Sequence, residues 1–157
     1  MLSQKARYAI RALSVLADLP AGEQAQIAQI ADAARVPRKF LEQILVDLKK
    51  RGLVHSQRGK RGGYRLSRSA EDIALAEVIR TIDGPLALSP CASRMAYRKC
   101  DDCLDEATCT IRKVLLEVRD ATADILEHRT LASMKEEAAV RPAAPRKKTA
   151  ARRASQL

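Results

Sequence analysis

Apolar residues recur three and four positions apart along most of the chain, which is the spacing of helices that bury one face. The pattern predicts a helix over about 3–19 that Ser3 caps, and a short helix over 26–34 that a brief strand precedes. A third helix is predicted over 38–51, with Pro37 near its first position, where the missing N–H costs little. The predicted buried stripe of this third helix consists of Phe40, Leu41, Ile44, Leu45 and Leu48.

A glycine-rich segment follows the third helix and lies between two short stretches with strand character. Residues 53–57 predict one strand and residues 64–67 its return, and the glycines between them permit a tight reversal. Three basic side chains, those of Arg58, Lys60 and Arg61, would project from the tip of this hairpin. Two helices joined by a tight turn and followed by a hairpin form a winged helix-turn-helix. The expected fold class is therefore mainly α with a small β-hairpin wing.

The second half of the chain predicts a helix over 69–83, a loop of roughly 25 residues, a long helix over 110–128 and a short one over 130–139. The long helix could pack on its own domain or pair with its copy in a dimer, and recognition of palindromic DNA favours the dimer. Its apolar positions are Ile111, Val114, Leu115, Val118, Ala121 with Thr122, and Ile125.

These elements divide the chain into four parts. We expect a winged helix-turn-helix domain over 1–84, a cysteine-rich loop over 85–109, and a dimerisation helix with a terminal helix over 110–138. The remaining segment, 139–157, is rich in Ala, Pro, Arg and Lys and has too few large apolar residues to pack, so we expect a disordered basic tail. This tail either adds sequence-independent attraction to DNA or only aids solubility.

The net charge of +10 is concentrated at the two ends of the chain. Residues 1–68 carry 14 Lys and Arg against 5 Asp and Glu, whereas residues 69–138 carry 9 against 14. A basic first half indicates a polyanion partner. Aromatic residues make up 3% of the chain, too few for a single-strand binder that stacks bases. No apolar run reaches the roughly 18 residues of a membrane span, and Arg7 and Arg11 interrupt any signal peptide, so we expect a cytoplasmic protein without a membrane partner.

Four cysteines lie within 19 residues of the predicted loop, at Cys91, Cys100, Cys103 and Cys109. In a reducing compartment such thiols are ligands for soft or borderline metals rather than a disulfide framework. Four thiolates can close a tetrahedral zinc site or hold an iron–sulfur cluster, and the spacing does not separate the two. Small buried thiols without a ligand are the plain structural alternative. A polar loop offers little apolar burial, so the spacing favours a metal site.

Three segments carry a resemblance to a known family: RYAIRAL at 7–13, KFLEQILVDLKKRGLV at 39–54 and SQRGKRGGYRLSR at 56–68. They resemble the Rrf2 family of bacterial transcription regulators, including its iron–sulfur branch of IscR-, NsrR- and RirA-like proteins, and the resemblance extends over about 1–138. It implies a dimeric winged-helix protein that binds DNA. It also implies a long helix at the dimer interface and a cluster held in the loop before that helix.

The resemblance assigns three of the cysteines as cluster ligands, namely Cys91, Cys103 and Cys109. Cys100 has no equivalent in the three-cysteine pattern and is the natural candidate for a fourth ligand. Two positions that supply a further ligand elsewhere in the family hold residues that do not: Arg112 replaces a histidine, and Tyr8 lies near the position of an aspartate in the first helix. The expected cofactor is a [2Fe–2S] or [4Fe–4S] cluster, with zinc as the alternative.

The same resemblance aligns Lys39, Phe40 and Glu42 with the base-contacting positions of the family. Glu42 can accept a hydrogen bond from a cytosine amino group, or it pairs with a nearby lysine instead. Phe40 is expected to pack partly into the core and to contact bases with the rest of its ring. The remaining candidates are Arg38 and Lys39 at phosphates, Gln43 on the same helix face, and Arg58, Lys60 and Arg61 entering or flanking a groove from the wing. For each of these residues, the alternative is a solvated surface position without a contact to DNA.

The expected function is a sequence-specific DNA-binding transcription regulator, with repression as the expected direction. An iron–sulfur cluster that senses iron, nitric oxide or redox state would control it on a palindromic promoter site. The alternative is a zinc- or thiol-based redox sensor without a cluster. An enzyme is not supported, because His55 and His128 are distant in sequence from the cysteines and no activated base lies near a thiol. A winged helix used for protein contacts is disfavoured by the basic wing.

Overall fold

A computed structural model describes residues 2–59 and 62–140, with side chains as far as Glu137. Two candidate wing residues, Lys60 and Arg61, and the predicted tail from residue 141 onward lie outside the described residues. The elements in chain order are α1 Gln4–Ala17, α2 Ile27–Ala34, α3 Arg38–Lys50, β1 Val54–Gln57, β2 Gly63–Leu66, a 3-10 turn Ala70–Asp72, α4 Leu75–Ile82, a 3-10 turn Pro90–Ala92, α5 Thr110–Glu127 and α6 Leu131–Val140. The fold is the expected winged helix-turn-helix, mainly α with one two-stranded hairpin.

α1 runs through the centre of the domain and buries a face of small and branched residues. Its cap is the predicted one, because the Ser3 hydroxyl accepts a hydrogen bond from the Ala6 backbone N–H at 3.0 Å. The Ser3 backbone N–H also donates to the Asp83 carboxylate at 2.9 Å, which fastens the start of α1 to the end of α4. The buried residues of α1 are Ala6, Ala9, Ala12, Leu13 and Leu16. Alanines on this face let α2, α3 and α4 approach closely.

The turn between α2 and α3 sets the direction of the third helix. Arg35 adopts a left-handed conformation with φ of 53°, and the Val36 backbone N–H then donates to the Ala31 carbonyl at 2.9 Å. Pro37 follows as the cap of α3. This helix buries Leu41, Ile44, Leu45 and Leu48.

The prediction that Phe40 belongs to the buried stripe of α3 was wrong. Phe40 is 60% exposed. It lies roughly a quarter turn from the centre of the stripe that starts at Leu41 and ends at Leu48, so the helix carries its ring to the edge of the core. Its ring meets that of Tyr8 edge-on, with the centroids 6.3 Å apart.

The hairpin is an antiparallel pair that a third short segment extends. Gln57 pairs with Gly63 at the tip, and Val54 pairs with Leu66 at the base. The brief strand expected before α2 is present as a bridge between Ala25 and Tyr64, whose backbone groups exchange hydrogen bonds of 3.0 and 2.8 Å. The wing is therefore tied to the helical core on the side of Ala25.

This bridge leaves no room for a side chain at Gly63. A Cβ there would lie 2.6 Å from the Ala25 carbonyl oxygen, which is backbone and cannot move aside cheaply. We expect Gly63→Ala to lower the free energy of unfolding by about 1–3 kcal/mol, measured by urea titration. Ser67→Ala, at an exposed position just after β2, serves as the control and is expected to change it by less than about 0.5 kcal/mol. Equal stabilities of the two variants would contradict this packing.

The predicted helix over 69–83 is divided in the structure. A 3-10 turn is followed by two extended residues, and α4 begins only at Leu75. The interruption arises because this segment pairs with the chain between α5 and α6: Leu75 donates to the Arg129 carbonyl at 2.8 Å, and Leu131 donates to the Ile73 carbonyl at 3.0 Å. Ile73 and Leu131 are almost completely buried there. α6 is thereby held on the helix-turn-helix domain. No helix of the described residues is long and apolar enough to cross a membrane.

Candidate DNA interface and thiol loop

The polar face of α3 begins with an exposed ion pair. The Arg38 guanidinium Nε donates to a Glu42 carboxylate oxygen at 3.2 Å, and their side chains are 64% and 55% exposed. Glu42 is therefore paired with an arginine one turn earlier, where a lysine partner was the alternative. An exposed pair of this kind contributes little to stability, so either side chain can turn to another partner at small cost. Lys39 lies exposed beside it.

Farther along α3, a series of side-chain hydrogen bonds connects the helix to α1. The Gln43 amide donates to Asp47 at 3.3 Å, and the Lys5 ammonium donates to the other oxygen of the same carboxylate at 2.7 Å. The hydrogen bond from Lys5 is the main reason that the pKa of Asp47 lies below its usual value. Gln43 is exposed and is held at one end by this contact.

An exposed aromatic edge lies next to the start of α3. The Phe40 ring rests against Tyr8, whose hydroxyl accepts a hydrogen bond from the Gln4 amide at 2.7 Å. An apolar ring beside a basic helix start can contact a thymine methyl group in the major groove. Sequence reasoning named Phe40 as a candidate, and the structure places it farther out of the core than expected.

A groove of about 230 Å³ separates α3 from the hairpin. Lys49 lines it from the helix and Arg58 lines it from the wing, so the two cations share one concave surface. Such a surface suits the phosphate backbone of a nucleic acid. The wall between them consists of Leu45, Val46, Ser56, Gln57 and Tyr64.

The four cysteines lie in one loop but in different surroundings. Cys91 is 5% exposed in the turn Pro90–Ala92, whereas Cys100, Cys103 and Cys109 are half-buried. A hydrogen bond with Cys91 is the largest cause that raises the pKa of the Cys100 thiol. Burial is the largest cause that raises the pKa of the Cys103 thiol. A ligand that binds Cys100 and Cys103 as thiolates must therefore displace their protons.

The donor set fits a group that is bound by thiolates. Four thiols within 19 residues of one loop match the ligand chemistry of iron–sulfur clusters and of zinc. In the part of the chain that the structure describes, no three His, Cys, Asp or Glu side chains converge closely enough to share one metal ion. Ligation therefore requires the loop to draw its sulfurs together.

Two arginines of α5 hold this loop by its backbone. The Arg112 guanidinium donates to the Cys91 carbonyl at 3.1 Å, and its backbone N–H donates to the Cys109 sulfur at 3.4 Å. Arg119, two turns later, donates to the Ala92 carbonyl at 2.8 Å. The Arg119 side chain is only 13% exposed and also forms an ion pair with Asp120. We refer to Arg112 and Arg119 as the arginine latch.

The outer face of α5 is apolar and exposed. Four of its large apolar residues are exposed, and none of the residues of α5 is buried. The repeat by three, four and seven positions is the spacing of a helix seam that packs on a second helix. The exposed stripe consists of Ile111, Val114, Val118 and Ile125, at 70, 57, 40 and 61% exposure.

Comparisons with known proteins agree with this architecture. The profile of the Rrf2 family, described as an iron-dependent transcriptional regulator, matches residues 2–137. This chain belongs to the Rrf2 family. An Rrf2-like HTH-type transcriptional regulator of Rhodobacter capsulatus is 46% identical over 137 residues, which cover 85% of this chain and 91% of that protein. Because the family and this relative are transcription regulators, the chain is a DNA-binding transcription regulator and not an enzyme.

Two solved structures of Rrf2 regulators resemble the chain closely. CymR, the global cysteine regulator of B. subtilis, has a TM-score of 0.70 and 26% identity, covering 87% of this chain and 97% of its own. IscR of T. potens has a TM-score of 0.68 and 27% identity, covering 88% of each chain. The similarity therefore extends to an IscR and to a cysteine regulator alike.

Sequence reasoning missed two residues at the thiol loop of this Rrf2 protein. Ser89 lies between two of the thiols, and Arg119 holds the loop backbone. The spacing of Arg112 and Arg119 was a readable signal, since residues seven apart share one face of a helix. Ser89 gave none, because a single serine before a proline is a common loop residue.

Proposed function

We propose that this protein is a homodimeric Rrf2 regulator whose affinity for a two-fold symmetric promoter site depends on an iron–sulfur cluster bound by its thiol loop. The observation that carries the proposal is the attachment of that loop to α5. All four thiols lie between α4 and α5, and the arginine latch joins the loop backbone to the helix whose outer face is the expected dimer seam. The family description as iron-dependent supports the same function.

The ligands proposed are Cys91, Cys103 and Cys109, with Cys100 as the fourth. A cluster supplies a group that reacts with oxidants and nitric oxide and that binds only while its thiolates are available. Arg112 lies between Cys91 and Cys109 and contributes no donor atom to iron, because a guanidinium stays protonated. Its role is to keep the Cys91 backbone against the start of α5.

Two copies of the chain would read DNA together. The apolar stripe on α5 would pack against the same stripe of a second copy, which gives an assembly with two-fold symmetry. Each α3 would enter the major groove of one half-site, with Lys39 and Glu42 at base edges and Phe40 at an apolar base surface. Arg58 would contact phosphates or a groove wall from the wing, and the two half-sites mirror the symmetry of the protein.

The latch supplies the path from loop to dimer. A loop that gathers its sulfurs moves the Cys91 and Ala92 carbonyls, and those carbonyls are bonded to Arg112 and Arg119. Both arginines belong to α5, so the motion changes the position of that helix and the separation of the two α3 helices. Control of DNA binding then follows from a difference in affinity between two loop states.

The wing assignment has a direct test in salt dependence. We expect Arg58→Ala to weaken binding to all duplex sequences alike and to reduce the slope of log affinity against log salt by about one, because one phosphate contact is lost. Lys135→Ala removes the same charge from α6, where the lysine pairs with Asp18, and serves as the control with an unchanged slope. Equal slopes for all three proteins, measured by fluorescence anisotropy, would contradict the wing assignment.

The cofactor is tested by purifying the full chain without oxygen and assaying iron, sulfide and zinc beside the visible spectrum. The proposal predicts iron and sulfide in equal amounts and an absorption typical of thiolate-bound iron. Cys103→Ser is expected to lose both, and the spectrum of Cys100→Ser decides whether Cys100 is a ligand. Zinc without sulfide, or a colourless protein without metal, would contradict the proposal.

A further inference from the structure

Two of the four thiols lie beside the same hydroxyl group. The Ser89 hydroxyl oxygen lies 3.3 Å from the Cys91 sulfur and 4.0 Å from the Cys100 sulfur. The neighbouring Cys91 thiol is also the largest cause that raises the pKa of the Cys100 thiol. Among the contacts of the described residues, no hydroxyl group bridges Cys103 or Cys109 to another thiol; Cys109 instead accepts a hydrogen bond from the Arg112 backbone N–H. The loop thus holds one preformed thiol pair.

The two sulfurs of this pair differ in their access to a small oxidant. Cys100 is partly exposed and can meet a small oxidant, whereas Cys91 is 5% exposed and is shielded from solvent. Only eight residues separate the two cysteines, so closing a ring between them costs little conformational entropy. A disulfide needs sulfurs about 2.05 Å apart, and two sulfurs that lie beside one hydroxyl group can approach that distance by side-chain rotation.

We propose that, when the loop carries no cluster, Cys91 and Cys100 form an intramolecular disulfide with hydrogen peroxide as oxidant. The Cys100 sulfur attacks peroxide, a sulfur–oxygen bond forms, the oxygen–oxygen bond breaks, and one water leaves. The Cys91 sulfur then attacks the Cys100 sulfur, the sulfur–oxygen bond breaks, and hydroxide leaves with the Cys91 proton as a second water. Two sulfurs are oxidised by two electrons in total, and one peroxide is reduced to two waters.

This inference deepens the proposed function and rests on it for its regulatory meaning. The disulfide withdraws Cys91 and Cys100 from the ligand set, so an oxidised loop cannot take up a cluster until a thiol reductant reopens the pair. Ser89 acts as the positioning residue that keeps both sulfurs together. Cys100, which has no equivalent in the three-cysteine pattern, would then serve as the disulfide partner of Cys91.

The pair can be identified by mass after oxidation of the full-length protein. Protein stripped of metal and reduced without oxygen is treated with one equivalent of hydrogen peroxide, and free thiols are counted. We expect two of the four thiols to be lost. Cleavage after Lys and Arg and before Asp places the thiols on separate peptides, and the expected linked product joins 83–94 to the single residue Cys100. Linkage of 83–94 to 102–104 or to 105–112 would overturn the assignment.

Matched variants separate this inference from the proposed function. Cys100→Ser is expected to retain all its thiols under the same treatment, Cys109→Ser to form the same linked product, and Ser89→Ala to form it several-fold more slowly. Reduced and oxidised protein are then each offered iron and sulfide. Loading of the reduced form alone supports both claims. A linked pair in a protein that never loads contradicts the proposed function only, and a protein that loads equally well after peroxide overturns the inference.

Discussion

Val118→Glu is expected to convert the proposed dimer to a folded monomer. Val118 lies at the middle of the exposed apolar stripe on α5, and a carboxylate there would be buried without a partner in any packing of two stripes. The loss of the second half-site contact costs roughly 10²–10⁴-fold in affinity for a two-fold symmetric duplex, the usual gain from linking two binding modules. Sedimentation and DNA titration measure the two effects.

The control for this variant places the same charge elsewhere on α5. Lys113 is exposed and lies about 140° around the helix from Val118, outside the apolar stripe, so Lys113→Glu is expected to remain dimeric. Circular dichroism checks that both variants keep the helices, since no residue of α5 is buried within the chain. A Val118→Glu protein that stays dimeric and binds with unchanged affinity would show that the stripe is not the dimer seam.

Arg119→Ala is expected to abolish most of the difference in DNA affinity between cluster-loaded and cluster-free protein. Allosteric couplings typically amount to about 5–150-fold, and loss of the bond to the Ala92 carbonyl reduces this ratio toward one. The variant also leaves a carbonyl without its donor, with a cost to stability of about 1–3 kcal/mol. Both affinities are measured on one duplex, so the ratio cancels effects common to the two forms.

Arg94 offers a matched control for the latch. It bonds the same Asp120 carboxylate at 2.8 Å, but its side chain is 72% exposed and donates to no carbonyl of the loop in the described contacts. Arg94→Ala is therefore expected to keep the full affinity ratio. An unchanged affinity ratio in Arg119→Ala, or an equal loss of the ratio in both variants, would show that the arginine latch does not couple the loop to DNA binding.

The fold was predictable because the hydrophobic periodicity of the helices is strong and the residues that start and end the elements act locally. Ser3, the turn before α3 and the glycine-rich hairpin each act within a few residues, so the sequence alone indicates where α1 starts and where the wing reverses. The split of the predicted helix over 69–83 was not predictable, because its cause is pairing with residues near Thr130 that are distant in sequence.

The sequence predicts the residue types of the candidate site but not their contacts. Thiol spacing indicates a shared ligand, yet it cannot show that Cys91 and Cys100 meet around Ser89 while Cys109 caps α5. Phe40 illustrates the same limit on α3. Its apolar character fits the stripe, but its phase, a quarter turn from the centre, determines that it is exposed.

The most direct test of the account compares one DNA duplex with the protein in two states. The cluster-loaded dimer first selects its site from random duplexes without oxygen, and the affinity of that site is then measured for loaded and cluster-free protein. The account predicts a two-fold symmetric site and affinities that differ by at least about fivefold. Equal affinities of the two forms, with the cluster confirmed by its spectrum, would contradict control of DNA binding by the thiol loop.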